Sequence, residues 1–275
     1  MIKLIACDLD RTLIPNGYEL DDNGLEIFSR VAKTRNFTLA YVSGRNWELF
    51  EEARKEFPLP LPDYFFGDVG TILYKKDGDG MVEDKTWFSY IDKNTPNWNW
   101  NAIAKMTTHQ EARLQEEWRQ NAYKLSYYVD DISMGEQVTD EMRKILAETN
   151  INADVIYSID PLKKVGLIDI LPKIATKVTA VEFLRERLTI NKDEVIYCGD
   201  SGNDILPLTF GYKSVLVANA SNEMKDNVRI LNNKNGNEQN LYIAEGNEAL
   251  NGNYAGGVLE GLVHFGALKP NQIEI

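Results

Sequence analysis

Asp8 and Asp10 flank Leu9 where the apolar run Ile2-Lys3-Leu4-Ile5-Ala6 ends, and Thr12 follows them. On an extended segment, residues two apart project from the same side of the backbone. Two carboxylates crowded at the end of a strand require a cation between them. The adjoining hydroxyl and backbone N–H suit an incoming phosphate. The pattern is that of a site for a hard divalent metal and a phosphoryl group. Taken alone, the same stretch also reads as a solvated acidic turn.

Three further pieces follow in order. Ser43-Gly44-Arg45 ends the apolar run Phe37-Thr38-Leu39-Ala40-Tyr41-Val42. Lys177 comes next, and Gly199-Asp200-Ser201-Gly202-Asn203-Asp204 ends Val195-Ile196-Tyr197-Cys198. Carboxylates, hydroxyls and one lysine, each placed after an apolar run, form a set that chance does not readily assemble.

The elements that must position these groups read as alternating strands and helices. Residues 2–8 and 37–43 are strands, 22–35 and 46–57 helices, and Pro58, Pro60 and Pro62 force a loop. Short strands follow at Tyr64-Phe65-Phe66-Gly67 and Gly70-Thr71-Ile72-Leu73-Tyr74. Strands apolar on both faces, alternating with helices, predict a parallel sheet covered on both sides. In such sheets ligands bind at the carboxyl ends of the strands, where Asp8, Ser43 and Asp200 all fall.

From about Glu83 to Lys164 the pattern changes. The strand Lys124-Leu125-Ser126-Tyr127-Tyr128-Val129 is amphipathic, helices are expected over 101–119 and 138–149, and Trp87, Trp98, Trp100 and Trp118 gather here. This reads as a small α+β unit inserted into the larger domain. From Val165 the apolar α/β pattern resumes, with strands at 165–171, 194–198 and 214–217 and helices at 176–189, 221–228 and 254–265. The Asn-rich stretch Asn232 to Asn240 reads as a loop. The expected domains are thus a core of 1–82 and 165–275 and an inserted unit of 83–164.

Composition narrows the function classes. With 275 residues, 43% of them hydrophobic, the chain can bury one or two cores without staples. A net charge of −12 argues against nucleic acid and against an anionic membrane surface. The apolar run at the N-terminus leaves no room for a signal peptide, no stretch reaches the ~18 residues of a membrane span, and a cytoplasmic setting is expected. Cys7 and Cys198 lack metal-ligand spacing and sit beside the aspartates on neighbouring strands. They read as small buried strand residues in a reducing compartment; a nucleophilic Cys7 has no histidine near it in sequence.

The ordered set of four motifs resembles the haloacid dehalogenase superfamily of phosphatases. That resemblance implies an α/β fold, a Rossmann-like parallel sheet with an inserted α+β cap for substrate specificity. It implies Asp8 as the nucleophile that forms an aspartyl-phosphate, and Asp10 as general acid/base. Thr12, Ser43, Gly44 and Arg45 become phosphate or substrate contacts. Lys177 becomes the cation that neutralises nucleophile and phosphate, at a helix start that also favours an anion. Asp200 and Asp204 become Mg2+ ligands with Asp8 and the Asp10 carbonyl, and Asn203 an orienting or phosphate contact.

Further strings are similar to sucrose-6-phosphate phosphatases. These are Asp68-Val69-Gly70-Thr71-Ile72-Leu73-Tyr74, Tyr123-Lys124-Leu125-Ser126-Tyr127-Tyr128-Val129-Asp130, Asp169-Ile170-Leu171-Pro172 and Tyr254-Ala255-Gly256-Gly257-Val258-Leu259-Glu260-Gly261-Leu262. The chain departs from that branch at Arg11, where Asn is usual, and at Ala175-Thr176, where a glycine-containing stretch is usual. The implied activity is Mg2+-dependent hydrolysis of sucrose-6-phosphate or a related disaccharide or glycosyl phosphate. A phosphosugar mutase, a generalist phosphatase, and a non-catalytic module that binds a phosphosugar or docks on a glycosyltransferase are the other readings. Lys124 and Ser126 are candidate sugar contacts, or else residues of a solvated strand. Asn219 is a candidate for the phosphate site or a helix cap near Ser221, and the cap tryptophans suit either a sugar ring or the cap core.

Overall fold

A computed structural model describes residues 1–15, 22–160 and 163–273 of the chain. In chain order the elements are β1 (Leu4–Cys7), α1 (Gly24–Lys33), β2 (Thr38–Val42), α2 (Trp47–Glu56), β3 (Tyr64–Gly67), β4 (Ile72–Asp77) and β5 (Gly80–Glu83). Then come α3 (Thr86–Asn94), α4 (Trp100–Met106), β6 (Arg113–Leu114), β7 (Leu125–Val129), α5 (Gly135–Ala147), β8 (Ala153–Asp160) and β9 (Val165–Pro172). The last are α6 (Lys177–Arg187), β10 (Val195–Gly199), α7 (Ile205–Thr209), β11 (Lys213–Leu216), α8 (Asn222–Asn235), β12 (Leu241–Ile243) and α9 (Tyr254–His264). They form two compact units, Met1–Glu83 with Lys177–Ile275, and Asp84–Thr176.

The first unit is built on a sheet ordered β12-β11-β10-β1-β2-β3-β4-β5. The strands from β12 to β3 are parallel, and β4 and β5 extend them as an antiparallel edge. Every residue of β1 and β10 is buried, as expected of strands covered on both faces. The chain leaves β1 toward β2 on one side and later returns to β10 on the other. The strand order therefore reverses beside β1, which is where open α/β sheets bind ligands.

The second unit has a four-stranded antiparallel sheet, β6-β7-β9-β8. Alternation along β7 sends Leu125, Tyr127 and Val129 into a core with Ile103 of α4, Val138, Met142 and Leu146 of α5, and Ile168 and Ile170 of β9. Trp87 is fully buried, and Trp98 and Trp100 pack on that core, with indole N–H groups donated to the carbonyls of Ala122 and Lys124. Trp118 is exposed and carries the Arg119 guanidinium over its ring.

Three expectations are corrected. Val165–Pro172 was expected in the core sheet but pairs with β7 and β8 in the smaller one. The smaller unit accordingly extends to Thr176, and Glu83 belongs to the larger. An apolar strand does not announce which sheet it joins; its partners decide. The helix expected over 101–119 stops at Met106, where Thr107 and Thr108 turn their hydroxyls back on the carbonyls of Ile103 and Ala104. The loop expected from Asn232 is helical to Asn235, because the Asn232 amide bonds the carbonyls of Leu208 and Val228, and the helix ends at Gly236 with φ 70°. Among the described residues no helix is long and apolar enough to cross a membrane.

Candidate active site

The register of the sheet assembles the site. Cys7 lies beside Cys198 on one side and Tyr41 on the other, and the Asp8 N–H donates to the Cys198 carbonyl at 3.0 Å. Asp8, Ser43 and Asp200, each just past its strand, are therefore brought to one edge of the unit. Burial holds the Cys7 thiol well up in pKa, so it stays a protonated strand residue rather than a nucleophile.

Lys177 begins α6 and reaches into this edge, almost fully buried. Its ammonium lies 3.0 Å from Asp8 Oδ1 and 2.8 Å from Asp204 Oδ1, and donates to Asn203 Oδ1 at 3.2 Å. Burial alone would pull the ammonium's pKa down, but Asp204 and Asp8 outweigh that and raise it, so it remains a cation.

Three carboxylates, Asp8, Asp200 and Asp204, offer oxygens within 4.8 Å of one another, and all three are buried. They are not equivalent. Asp204 Oδ1 accepts from Lys177 at 2.8 Å and from the Tyr197 hydroxyl at 2.6 Å. Its Oδ2 accepts from the N–H groups of Asp200 and Ser201 at 3.1 and 3.2 Å. Four contacts use the four lone-pair positions of a carboxylate. Asp204 thus ties the lysine to the loop, and Gly199 is needed for it: a Cβ there would stand 2.5 Å from Asp204 Cγ.

Asp8 and Asp200 are less fully engaged. Asp200 Oδ1 accepts from the Thr12 hydroxyl at 3.2 Å, and Oδ2 lies 3.4 Å from Arg11 Nε. Burial pushes the Asp8 carboxyl up to about 8, with Asp204 and Asp200 adding to it and Lys177 opposing. Burial, helped by Asp204, likewise lifts Asp200 to about 6. Lys177 and the partly exposed Arg11 do not fully offset three buried carboxylates, whose hard oxygen donors in this state fit Mg2+.

Asp10 and Arg45 form a fork. Arg45 Nε donates to Asp10 Oδ2 at 2.8 Å and Nη2 to Oδ1 at 2.6 Å, while Nη1 donates to the Leu49 carbonyl. The Arg45 loop is held by the turn after β3, where Asp68 N–H bonds the Arg45 carbonyl and Val69 N–H the Ser43 carbonyl. Asp68 and Val69 both adopt positive φ, 50° and 61°, strain that the surroundings must enforce. Gly44 is exposed, with open space where a side chain would stand.

Lys124 and Ser126 lie in the other unit. Lys124 is buried rather than solvated; its ammonium donates to the Arg119 carbonyl at 2.8 Å and lies 3.8 Å from Asp169. Ser126 is completely buried and its hydroxyl bonds Asp169. Tyr197 and Asp169 escaped sequence reasoning as site residues. Tyr197 sits inside an apolar run that carries no polar signal, whereas Asp169 was visible as an acid in an apolar strand.

The model of the family described as sucrose-6F-phosphate phosphohydrolase matches residues 1–266. A HAD-like hydrolase of Nitrosococcus oceani is 39% identical over 268 residues, covering 96% of this chain and 72% of its own. The mannosylfructose-phosphate phosphatase of Agrobacterium fabrum is 28% identical over 271 residues, covering 98% of both chains. The structure of the sucrose-phosphatase from Synechocystis sp. PCC6803 in complex with sucrose and phosphate superposes with a TM-score of 0.71 at 27% identity, over 97% of this chain and 99% of that one. The chain spans 51% to 60% of the length of the tobacco and Arabidopsis sucrose-phosphatases it matches at 30% identity. With its parallel sheet, buried carboxylates and bridging lysine, the chain belongs to the sucrose-6F-phosphate phosphohydrolase family of the haloacid dehalogenase superfamily.

Proposed function

We propose that the chain is a Mg2+-dependent phosphatase of a disaccharide or glycosyl phosphate, with sucrose-6-phosphate as the leading substrate. The observation that carries this reading is the Lys177 ammonium held between Asp8 and Asp204 beside Asp200, at the reversal of strand order. The family supplies the reaction class. The relatives divide on the sugar, sucrose phosphate for some and mannosylfructose phosphate for another, so the disaccharide remains to be chosen by assay.

In this reading Asp8 attacks phosphorus, the bond from phosphorus to the sugar oxygen breaks, and Asp10 gives that oxygen its proton. Asp10 then takes a proton from water, whose oxygen attacks the phosphoryl group on Asp8; inorganic phosphate leaves and the carboxylate is restored. Lys177, Thr12, Ser43 and the open backbone at Gly44 hold phosphoryl oxygens, and Arg45 fixes the aim of Asp10. Asp8, Asp200 and the Asp10 carbonyl would hold Mg2+, with Asp204 and Asn203 anchoring lysine and loop from behind. When bound, the ion supplies charge neutralisation for the phosphoryl group. The 84–176 unit carries substrate selection, with Lys124 and Asp169 as its polar candidates. The thiols Cys7 and Cys198 are free, which suits a reducing, cytoplasmic setting. An association with a glycosyltransferase is supported neither by these relatives nor by the described residues.

The test is phosphate release, with and without Mg2+, from sucrose-6-phosphate, mannosylfructose phosphate, glucosyl- and mannosylglycerate phosphates, trehalose-6-phosphate and hexose phosphates. A kcat/KM preference of ~10³ or more for one disaccharide phosphate is expected. Even, weak activity across the panel would make the chain a generalist. Phosphate returned to a second hydroxyl, without stoichiometric release, would make it a mutase.

A further inference from the structure

Arg11 stands where the chain departs from the sucrose-6-phosphate phosphatase pattern, and its surroundings are specific. Its backbone has φ 62°, a left-handed conformation uncommon for a long side chain. Asn219, itself buried, pins that conformation: its Nδ2 donates to the Arg11 carbonyl at 2.7 Å, and its backbone carbonyl accepts from Arg11 Nη2 at 3.2 Å. The Asn219 side-chain oxygen accepts from the Tyr254 N–H at 2.9 Å, so the first residue of α9 holds the amide in turn.

This arrangement sends the Arg11 side chain to the carboxylate of Asp200, with Nε 3.4 Å from Oδ2. The arginine side chain is 36% exposed and the aspartate side chain 3%. The guanidinium thus lies at the outer side of the pair, and the carboxylate it touches is one of the two whose oxygens are not fully engaged. An arginine never gives up its charge, so it competes with any cation at Asp200 across the whole accessible pH range.

We propose that Arg11 is a tethered counter-cation of Asp200 that weakens the binding of Mg2+ to the site and steadies the acidic loop when no ion is bound. The inference rests on the reading of Asp8 and Asp200 as metal ligands. A unit positive charge already paired with a metal-binding carboxylate opposes a divalent cation at that carboxylate by roughly tenfold even at the dielectric of water. Salt screens part of this, which leaves roughly three- to tenfold at ordinary ionic strength. Arg11 acts through Asp200 and is a positioning residue. It lets the site exchange its ion while keeping the carboxylate paired.

The test is titration of the metal-stripped full chain with Mg2+ alone, followed by calorimetry and by the rise in Tm. Arg11→Asn removes the charge and tolerates a left-handed backbone; Arg11→Gln removes it while keeping a longer stem; Arg11→Lys keeps it. Both neutral variants are expected to bind Mg2+ about three- to tenfold more tightly, with a lower Tm before the ion is added, and Arg11→Lys to stay within about twofold of the wild type. Wild-type binding with unchanged or weaker affinity in both neutral variants would overturn the proposal alone. No Mg2+ binding by the wild type would overturn the metal reading of the cluster, and the role of Arg11 with it.

Discussion

Arg45 and Asp10, 35 residues apart in sequence, meet through two parallel contacts, Nη2 to Oδ1 at 2.6 Å and Nε to Oδ2 at 2.8 Å. A planar guanidinium matched to a planar carboxylate restricts both translation and rotation of the acid. In the proposed reaction Asp10 must present its carboxyl first to the sugar oxygen and then to water. A second anchor, from Arg45 Nη1 to the Leu49 carbonyl at 3.1 Å, ties the fork to α2.

Lysine cannot reproduce that fork. Arg45→Lys is therefore expected to lower kcat about 10- to 100-fold, the range for a catalytic group misplaced by about 1 Å, with a smaller change in KM. Steady-state kinetics on the preferred substrate checks this. A rise in KM at constant kcat would instead assign Arg45 to substrate binding.

Asp204 and Asp200 should respond in opposite directions to the same substitution. Asp204 is wholly buried and accepts from Lys177, Tyr197 and two N–H groups. An amide in its place turns one acceptor into a donor that faces other donors. Breaking a buried pair of this kind costs about 3–5 kcal/mol, and Asp204→Asn should lose that much in denaturant unfolding. Asp200→Asn removes one of the crowded charges and should raise the Tm of the metal-free protein, while abolishing the rise in Tm expected of the wild type when Mg2+ is added. Equal destabilisation by the two substitutions would refute the division of labour between these residues.

The same crowding predicts how stability varies with pH. Burial and the neighbouring carboxylates raise Asp8 from 3.8 to about 8 and Asp200 to about 6 in the fold. The folded protein therefore binds more protons than the unfolded chain between pH ~4 and ~8. Stability from these two groups is fully present below pH ~4 and is lost as pH rises through about 6 and then about 8. Metal-free protein should melt at lower temperature at pH 8 than at pH 5.5, and saturating Mg2+ should reduce the difference. Asp8→Asn should flatten the slope further and abolish turnover with the fold intact. A metal-free Tm that rises over this interval would contradict it.

Much of the site was legible because the motifs at Asp8, Ser43 and Asp200 each follow a strand buried along nearly its whole length. Leu4–Cys7 and Val195–Gly199 read as such from composition, and their carboxyl ends named Asp8 and Asp200 before any pairing was known. The partners of those residues were less legible. Nothing in a linear chain says that Arg45 would fork onto Asp10, or that Tyr197 would turn its hydroxyl to Asp204 from within an apolar run. The assignment of Val165–Pro172 failed for the same reason, since Ile168 and Ile170 are as apolar as core-sheet residues and only the ladder with Leu125–Val129 places them. Asn232 shows the reverse error: its propensity suggests a loop, and two carbonyls reached by its amide hold it in a helix.

The smaller unit gives the last prediction. Lys124 is buried with its ammonium between the Arg119 carbonyl and Asp169, and Ser126 bonds Asp169 from the facing position on β7. If this cluster recognises a sugar, its loss should be felt by a sugar phosphate and not by an aryl phosphate that lacks hydroxyls. Lys124→Met keeps the apolar stem and removes the charged donor, a contact of about 1.5–3 kcal/mol. The expected result is a KM for the preferred disaccharide phosphate raised about 10- to 100-fold, with kcat/KM for p-nitrophenyl phosphate within about twofold of the wild type. Equal losses on both substrates would mean that Lys124 supports the fold of the unit rather than the choice of substrate. A far-ultraviolet spectrum and a melting curve of the variant separate that outcome from a true loss of recognition, because only the structural role moves the melting temperature together with both activities.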